Sequence, residues 1–304
     1  MALSIRTNIA SLNAQRNLAT TQSALDSSLS KLSSGFRITK AGDDAAGLGI
    51  STKLESQIKS YSQAARNAND GISVVQAAEA ALNEVANMIT RLRELAMQAA
   101  SDGIGDTERG FIQKEAVALQ NEITRIAAVT KYNGTVLLST VDGSGNPSPH
   151  TTTLNSLDFQ VGIEGTGTDN TISFSAVDAT LGTATYDIDG NPIPGAPDRL
   201  GIGAIDLTTK AHARGMLRNF DVGLSRISDH RATMGAVGNR LQSAIHNISD
   251  FSESLSAANS RIKDVDIAEE TAAMSRAQIL AQAGVSVLAQ ANQMPQMALK
   301  LLGG

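Results

Sequence analysis

Four histidines are the side chains of this sequence best suited to acid–base or metal chemistry, and they are scattered along it. They stand at His150, His212, His230 and His246. His230 and His246 would share one helix but lie sixteen positions apart, which is too far for two ligands of one metal ion. Cysteine is absent, which excludes a thiolate metal site and a cysteine nucleophile. We therefore interpret the histidines as solvated or interface residues and predict no metal.

Three short motifs resemble parts of chemical sites without completing one. Asp43-Asp44 could pass for a catalytic carboxylate pair, but adjacent residues do not face each other across a cleft. Asp187-Ile-Asp189-Gly190 resembles part of a calcium loop without its closing Glu, and Gly201-Ile-Gly203 is a fragment of a phosphate loop without its Lys. We predict no catalytic residue, no cofactor and no enzyme. The carboxylates instead suit helix N-termini, and we predict caps at Asp43 or Asp44, at Asp106 and at Asp266.

Composition favours long helices packed side by side over a globule with a deep pocket. Aromatic residues make up 3% of the chain and Trp is absent, so small aliphatic side chains must fill the core. The net charge of −5 argues against nucleic acid as a partner. We predict no membrane span, because no run of about 18 apolar residues occurs. We also predict no secretory signal, because polar residues interrupt the N-terminal stretch.

Both ends of the chain carry apolar residues at helical spacing with few charges beside them. Within 277–304 the only charge is Lys300, and the other polar residues are neutral. A solvated helix would place Lys and Glu on its outer face, so we predict that the two end helices pair and that further copies cover them. A helical hairpin inside an ordinary globule is the alternative. Pro295 predicts a kink or local break. The predicted assembly residues are Leu18, Leu25, Leu29, Leu32, Leu280, Val287, Met294 and Leu301.

Between the ends, two long helical patterns flank a region of different composition. The first keeps a heptad from Val75 to Ala99, and the second keeps one from Leu217 to Ile262. The region between them is rich in Thr, Ser, Gly and Asp, and its stretches 157–163 and 171–177 alternate apolar and polar residues, as strands do. Its polarity predicts an exposed lobe.

These patterns predict a mainly α fold. It is a long antiparallel helical bundle or coiled coil built from both chain ends, with a small inserted β-rich lobe. We predict three domains: 1–43 with 264–304 as a terminal coiled coil, 44–138 with 210–263 as a central helical bundle, and 139–209 as a β-hairpin and exposed lobe.

Several long motifs of this chain resemble those of bacterial flagellin. The first half contains LSSGFRITKAGDDAAGLGIS, NANDGISVVQAAEAALNEV, RLRELAMQAA and KYNGTVLL. The second contains NSRIKDVDIAEE and LAQANQMPQMALKLL. The resemblance covers about residues 1–138 and 210–302, and the motifs occur in the family's order. The ending LKLLGG differs from the more usual LLR or LLG.

The resemblance implies a structural subunit that self-assembles into the extracellular flagellar filament used for swimming. Its terminal helices would line an inner tube and its central helices an outer tube. The implied partners are many copies of the same chain, an export chaperone and a filament cap, with hook-junction proteins beside them. Export would be of the unfolded chain through a type III apparatus. A hook-filament junction protein is the alternative, whereas a membrane signalling coiled coil lacks the required span.

The resemblance also implies a surface for an innate immune receptor. In flagellins recognised by Toll-like receptor 5, the contact centres on a helix motif R-x-R-E-L and a facing Glu. The matching residues here are Arg91, Leu95 and Glu115. The family uses the same surface for filament packing, so both roles stay open.

Overall fold

The structure is a computed structural model that describes residues 8–139, 156–165, 168–181 and 200–302, without the side chains of 294–302. Within this part the chain forms five α-helices and two small antiparallel sheets, which confirms the predicted fold class. The helices are α1 (Ile9–Ser34), α2 (Ala45–Ala99), α3 (Asp106–Val129), α4 (Lys210–Lys263) and α5 (Ile267–Leu302). The strands are β1 (Lys131–Tyr132), β2 (Thr135–Val136), β3 (Ser156–Gln160) and β4 (Thr171–Ser175).

The chain divides into two compact units. The terminal unit comprises Met1–Lys59 with Ser252–Gly304, and the central unit comprises Ser60–Phe251. Both boundaries fall inside the long helices α2 and α4, so each of these helices contributes to both units. This division reflects how densely each part of the chain packs on itself. The three domains predicted from the sequence stay a prediction.

In the terminal unit, α1 and α5 form an antiparallel pair. The side-chain amide of Asn8 donates to the carbonyl of Ala291 at 2.8 Å, and Lys31 lies 3.7 Å from Glu270 near the other end of α1. Small residues dominate the contact, and an added Cβ at Gly284 would lie 3.3 Å from Leu18. The two backbones can therefore approach closely. Gly35 ends α1 in the left-handed conformation, at φ 74°, which glycine adopts without a steric penalty.

Carboxylates start two of the helices as predicted. Asp44 accepts from the backbone N–H of Gly47 at 2.8 Å before α2, and Asp266 accepts from that of Ala268 at 2.8 Å before α5. The predicted cap at Asp106 is wrong: Asp106 is the first residue of α3, and its carboxylate binds the Arg109 side chain. The N-cap position of α3 belongs to Gly105, which has no capping side chain.

The central unit has one contiguous apolar core built from the predicted heptads. Every residue of the α2 pattern is buried: Val75, Ala78, Leu82, Val85, Ile89, Leu92, Ala96 and Ala99. α3 contributes Ile112, Ala116 and Ile123, and α4 contributes residues such as Phe220, Ile227, Met234 and Leu241. The 3.6-residue period of these helices places them on one face, which is why periodicity predicted them.

The inserted region contains the predicted hairpin. β3 pairs with β4 in antiparallel register, with Leu157 opposite Phe174 and Phe159 opposite Ile172. The expectation of an exposed lobe is wrong for much of its described part, because Phe174 is only 2% exposed and Leu200 is fully buried. One face of the hairpin packs on the central core. The polar composition concealed this, since alternating residues supply that apolar face.

Helix α5 continues without interruption through Pro295 to Leu302, so the local break expected there is absent. A proline inside a helix removes one N–H donor without necessarily ending the helix. Met294 and Leu301 lie in this helix, but their side chains are outside the described part. Among the described residues, no helix is both long and apolar enough to cross a membrane.

Candidate assembly surface

The predicted α1 residues take two different positions on the helix pair. Leu18, Leu25 and Leu32 are half-buried, whereas Leu29 is 48% exposed. The most buried described positions of α1 are instead small, at Ser11 and Ser28. The hydroxyl of Ser11 donates to the Asn292 side chain of α5 at 2.7 Å, which satisfies this polar group inside the contact.

Two of the predicted α5 residues, Leu280 and Val287, lie outside the contact with α1. Leu280 is 54% exposed and Val287 is 55% exposed, although both were expected in the seam. The seam keeps the expected Ala277, Gly284 and Ala291, but Ala281 and Leu288 take the places expected for Leu280 and Val287, and these five residues are buried or half-buried. Sequence could not separate the two, because α5 has apolar residues at both sets of three-four spacings. One set packs within the chain and the other remains uncovered.

The uncovered set forms one part of what we call the assembly surface. It consists of seven of the exposed apolar residues of the two helices: Ile9, Leu12, Leu29, Ile279, Leu280, Val285 and Val287. The intervening residues of α5 are Gln, Ala, Gly and Ser, so no charge interrupts this stretch. Apolar surface of this kind marks an interaction site rather than a solvated face.

The predicted receptor residues lie together on the central unit, but only two are accessible. Arg91 donates to Glu115 of α3 through Nε at 3.0 Å and through a terminal nitrogen at 2.9 Å, and it also binds Glu94 at 3.0 Å. The hydrogen bonds that Arg91 donates to Glu94 and Glu115 raise the pKa of its guanidinium. Leu95 is 2% exposed, so it belongs to the core below this surface. The exposed patch is therefore an ion-pair network that links α2 to α3.

Two polar side chains that the sequence did not single out join elements of the central unit. Arg109 is 8% exposed and donates to the carbonyls of Ala99 and Ser101, both at 2.9 Å, thereby closing the end of α2. Gln113 donates to the carbonyl of Ile205 at 2.7 Å and accepts from the N–H of Leu207 at 2.6 Å. No local pattern marks either residue, because their partners become neighbours only when the chain has folded.

The described histidines have ordinary surroundings. His212 lies 2.7 Å from the Asp206 carboxylate, His246 lies 3.3 Å from Gln242, and His230 is buried in α4. Among the described residues, no group of three His, Cys, Asp or Glu side chains could hold a metal ion. His150 and the motif 187–190 lie outside the described residues. Gly201 and Gly203 have positive φ in the loop before α4.

The comparisons with known proteins agree with this arrangement. The family model for the bacterial flagellin N-terminal helical region matches residues 5–142, and the model for the C-terminal helical region matches residues 217–302. Flagellin D of Vibrio anguillarum is 35% identical over 377 aligned positions and is matched over the whole of both chains. Flagellin of Bacillus subtilis strain 168 is 38% identical, over 98% of this chain and 99% of that relative.

A solved structure shares the fold at low identity. It is assigned to a flagellar hook-associated protein of Vibrio parahaemolyticus, with 13% identity and a TM-score of 0.54, and it matches 73% of this chain and 100% of the other. The two family models together span most of the chain and include both helices of the assembly surface. The chain belongs to the bacterial flagellin family.

Proposed function

We propose that this chain, a structural subunit of the bacterial flagellar filament, polymerises through its α1–α5 pair. The observation that carries the proposal is the second apolar face of α5, with Leu280 and Val287 more than half exposed. Packing within the chain uses the other face. Neighbouring copies then cover the assembly surface, and the helix pair forms the inner layer of the filament.

The energetics of burial support such a role. Covering one Leu, Ile or Val side chain contributes about 1.5–3 kcal/mol relative to leaving it in water. Seven such side chains on each copy would supply on the order of 10 kcal/mol, as an upper estimate, before the cost of association. This is enough for a long polymer. A hook-filament junction protein is not favoured, because both helical regions match flagellin.

The assembly surface is also consistent with a chain that is exported from the cell and whose apolar residues are covered until then. Exposed apolar faces on α1 and α5 would promote association inside the cell before export. A chaperone that covers the C-terminal region during type III export would prevent this, and a filament cap would guide the pairing of α1 with α5 at the growing tip. The central unit would then form the outer layer of the filament.

Seeded growth tests the proposal. The purified full-length chain is added to short filament fragments, and polymer is measured by sedimentation and by electron microscopy. We expect filaments many times longer than the seeds. Short collars that stop growing would instead indicate a junction protein, and a chain that stays monomeric with seeds would contradict the filament role.

We propose the Arg91–Glu115 surface as a contact for Toll-like receptor 5. Arg91 donates two hydrogen bonds to one oxygen of Glu115, and both side chains are half exposed, so their charged groups are accessible to a polar partner. Leu95 would support this surface from the core without touching the receptor. Monomer carrying Arg91→Asp should lose signalling in a reporter cell, whereas Arg125→Asp on α3 should signal normally. Equal signalling by Arg91→Asp and the unchanged chain would exclude the contact.

A further inference from the structure

The β1–β2 hairpin of the central unit turns at Asn133-Gly134, the only Asn-Gly pair in the sequence. Tyr132 pairs with Thr135, so Asn133 and Gly134 alone make the turn. Asn133 has φ 47° and Gly134 has φ 83°, the two positive values that a type I′ turn requires. Both residues are exposed, and a Cβ added at Gly134 would meet no atom within 4 Å. The turn is therefore open to solvent.

An Asn-Gly pair can modify itself without an enzyme. The backbone nitrogen of Gly134 attacks Cγ of the Asn133 side chain, so a bond forms between this nitrogen and Cγ while the bond from Cγ to Nδ2 breaks. The proton of the Gly134 N–H leaves with Nδ2 as ammonia, and a succinimide ring remains. Water then opens the ring, at Cγ to give aspartate or at the backbone carbonyl carbon of Asn133 to give isoaspartate. Glycine favours the first step because it has no side chain to shield its nitrogen.

The folded turn holds Asn133 in a conformation that cannot close this ring. In the left-handed region, the nitrogen of the next residue lies on the opposite side of the Cα–C bond from Cβ. Ring closure needs that nitrogen on the same side as Cβ, since Cβ carries the amide carbon. The Asn133 backbone must therefore rotate about its Cα–C bond, and this rotation separates Tyr132 from Thr135.

Contacts behind the turn oppose such a rotation. β2 runs directly into Leu137 and Leu138, which are both fully buried. The N–H of Leu137 donates to the carbonyl of Thr130 at 3.1 Å, and the carbonyl of Leu137 accepts from the N–H of Val177 at 3.1 Å. The carbonyl of Leu138 accepts from the N–H of Ala179 at 3.0 Å. The base of the hairpin is therefore fixed in the core, and ring closure requires its tip to open.

We propose that Asn133 is a spontaneous deamidation site whose reaction is controlled by the fold of the hairpin. The unfolded chain forms the succinimide readily, and the folded central unit suppresses it. The exposed Asn-Gly pair supplies the reacting groups, whereas the left-handed conformation of Asn133 supplies the restraint. This reaction needs only the fold of the central unit, so it is independent of the filament role.

The two products should affect the hairpin differently. Aspartate, like asparagine, tolerates the left-handed conformation, so it can rebuild the turn. Isoaspartate routes the main chain through the side chain and adds one methylene to it. The added length would shift Thr135 out of register with Tyr132 and displace the buried residues Leu137 and Leu138 that follow.

Peptide mapping by mass spectrometry tests the site in the full-length chain. One sample is incubated folded in mildly alkaline sodium chloride, and a second is incubated unfolded in guanidinium chloride of the same ionic strength. We expect deamidation at Asn133 to be about tenfold faster in the unfolded sample, which corresponds to about 1.4 kcal/mol for opening the turn. Asn83 and Asn121 are exposed but precede glutamate, so they are internal controls and should stay unmodified.

Two results would contradict this expectation. Equal rates in the folded and unfolded samples would overturn the control by the fold. An unfolded chain that keeps Asn133 intact, or that deamidates at Asn83 or Asn121 first, would overturn the site itself.

Melting of the refolded product tests its effect on the hairpin. Deamidated chains carry one additional negative charge, so ion exchange separates them from unmodified chains. They should melt about 2–4 °C below the Asn133→Asp variant, which carries the same charge without the added methylene. Equal melting temperatures would overturn the expected disruption of the hairpin by isoaspartate.

Discussion

Polar side chains that bind backbone groups hold the helix ends of this chain in place. Asp44 and Asp266 could be predicted from sequence, because a cap and the N–H it accepts from lie three residues apart or fewer. Arg109 could not, because its carbonyl partners lie eight and ten residues away and converge on it only across the α2–α3 turn. A side-chain contact can therefore be predicted from the sequence when its two partners lie within a few residues of each other along the chain.

Arg109→Ala should destabilise the central unit. The substitution leaves the buried carbonyl of Ala99 without its donor and removes a second bond to Ser101, at a cost of about 2–3 kcal/mol. Denaturant unfolding followed by circular dichroism measures this loss. Arg125→Ala, on the exposed face of the same helix, is the control and should leave the unfolding midpoint unchanged. Equal midpoints for both variants would mean that Arg109 is dispensable.

The turn before α2 should give the protein a pH-dependent contribution to stability. Hydrogen bonds from the backbone N–H groups of Thr39 and Lys40, and from the Thr39 hydroxyl, lower the pKa of Asp43 below its ordinary value of 3.8. A carboxylate with a lowered pKa in the folded state stabilises that state above pH 3.8, and this contribution is lost as the pH falls through the folded pKa.

Comparison with Asp43→Asn isolates this effect. At pH 6 the unchanged chain should unfold at a higher temperature than the variant, because only the carboxylate gains from these donors when ionised. The difference should shrink steadily as the pH is lowered below 3.8. Melting curves by circular dichroism provide the measurement. If the difference in unfolding temperature stayed constant across this pH range, the stabilisation would come from the hydrogen-bonding geometry of the side chain and not from its charge.

At the scale of helices, the spacing of the apolar residues could be predicted from the sequence. Which of two equally spaced sets of residues packs inside the chain could not. The α2 heptad has one apolar face, and every predicted residue is buried. In α5 the positions of Leu280 and Val287 and those of Ala281 and Leu288 both follow three-four spacing. The choice between them depends on which residues fit closely against α1, such as Gly284 opposite Leu18. Such a fit depends on residues more than 260 positions apart in the chain.

Neighbouring substitutions on α5 should therefore have different effects. Val287→Asp places a charge on the exposed face, so the monomer should keep its helix content and melting temperature, while seeded growth stops because the charge would be buried unpaired. Leu288→Asp places the charge against α1 and should lower the helix content of the monomer itself. Circular dichroism and sedimentation measure the two effects. Normal growth of Val287→Asp filaments would remove this face from the assembly surface.

At the scale of the whole molecule, composition predicted the fold class but not which segments contribute buried residues to the core. Low aromatic content and two helical ends correctly indicated a bundle. The hairpin was predicted from its alternation, but its packing was missed, because Phe174 and Leu200 are buried by helices that are distant in sequence. Whether an inserted segment is buried depends on the surface against which it packs, and that surface cannot be identified from a single sequence.

Removal of residues 277–304 should separate folding from assembly. The central unit, Ser60–Phe251, has its own contiguous core and contains none of the removed residues, so its cooperative thermal transition should persist. Filament growth should cease, because the truncation removes both faces of α5. Full-length Val287→Asp is the matched control, since it keeps the α1–α5 pair and loses only the outer face. If the truncated chain elongated seeds at the normal rate, assembly would reside in the central unit, and the exposed face of α5 would need another partner.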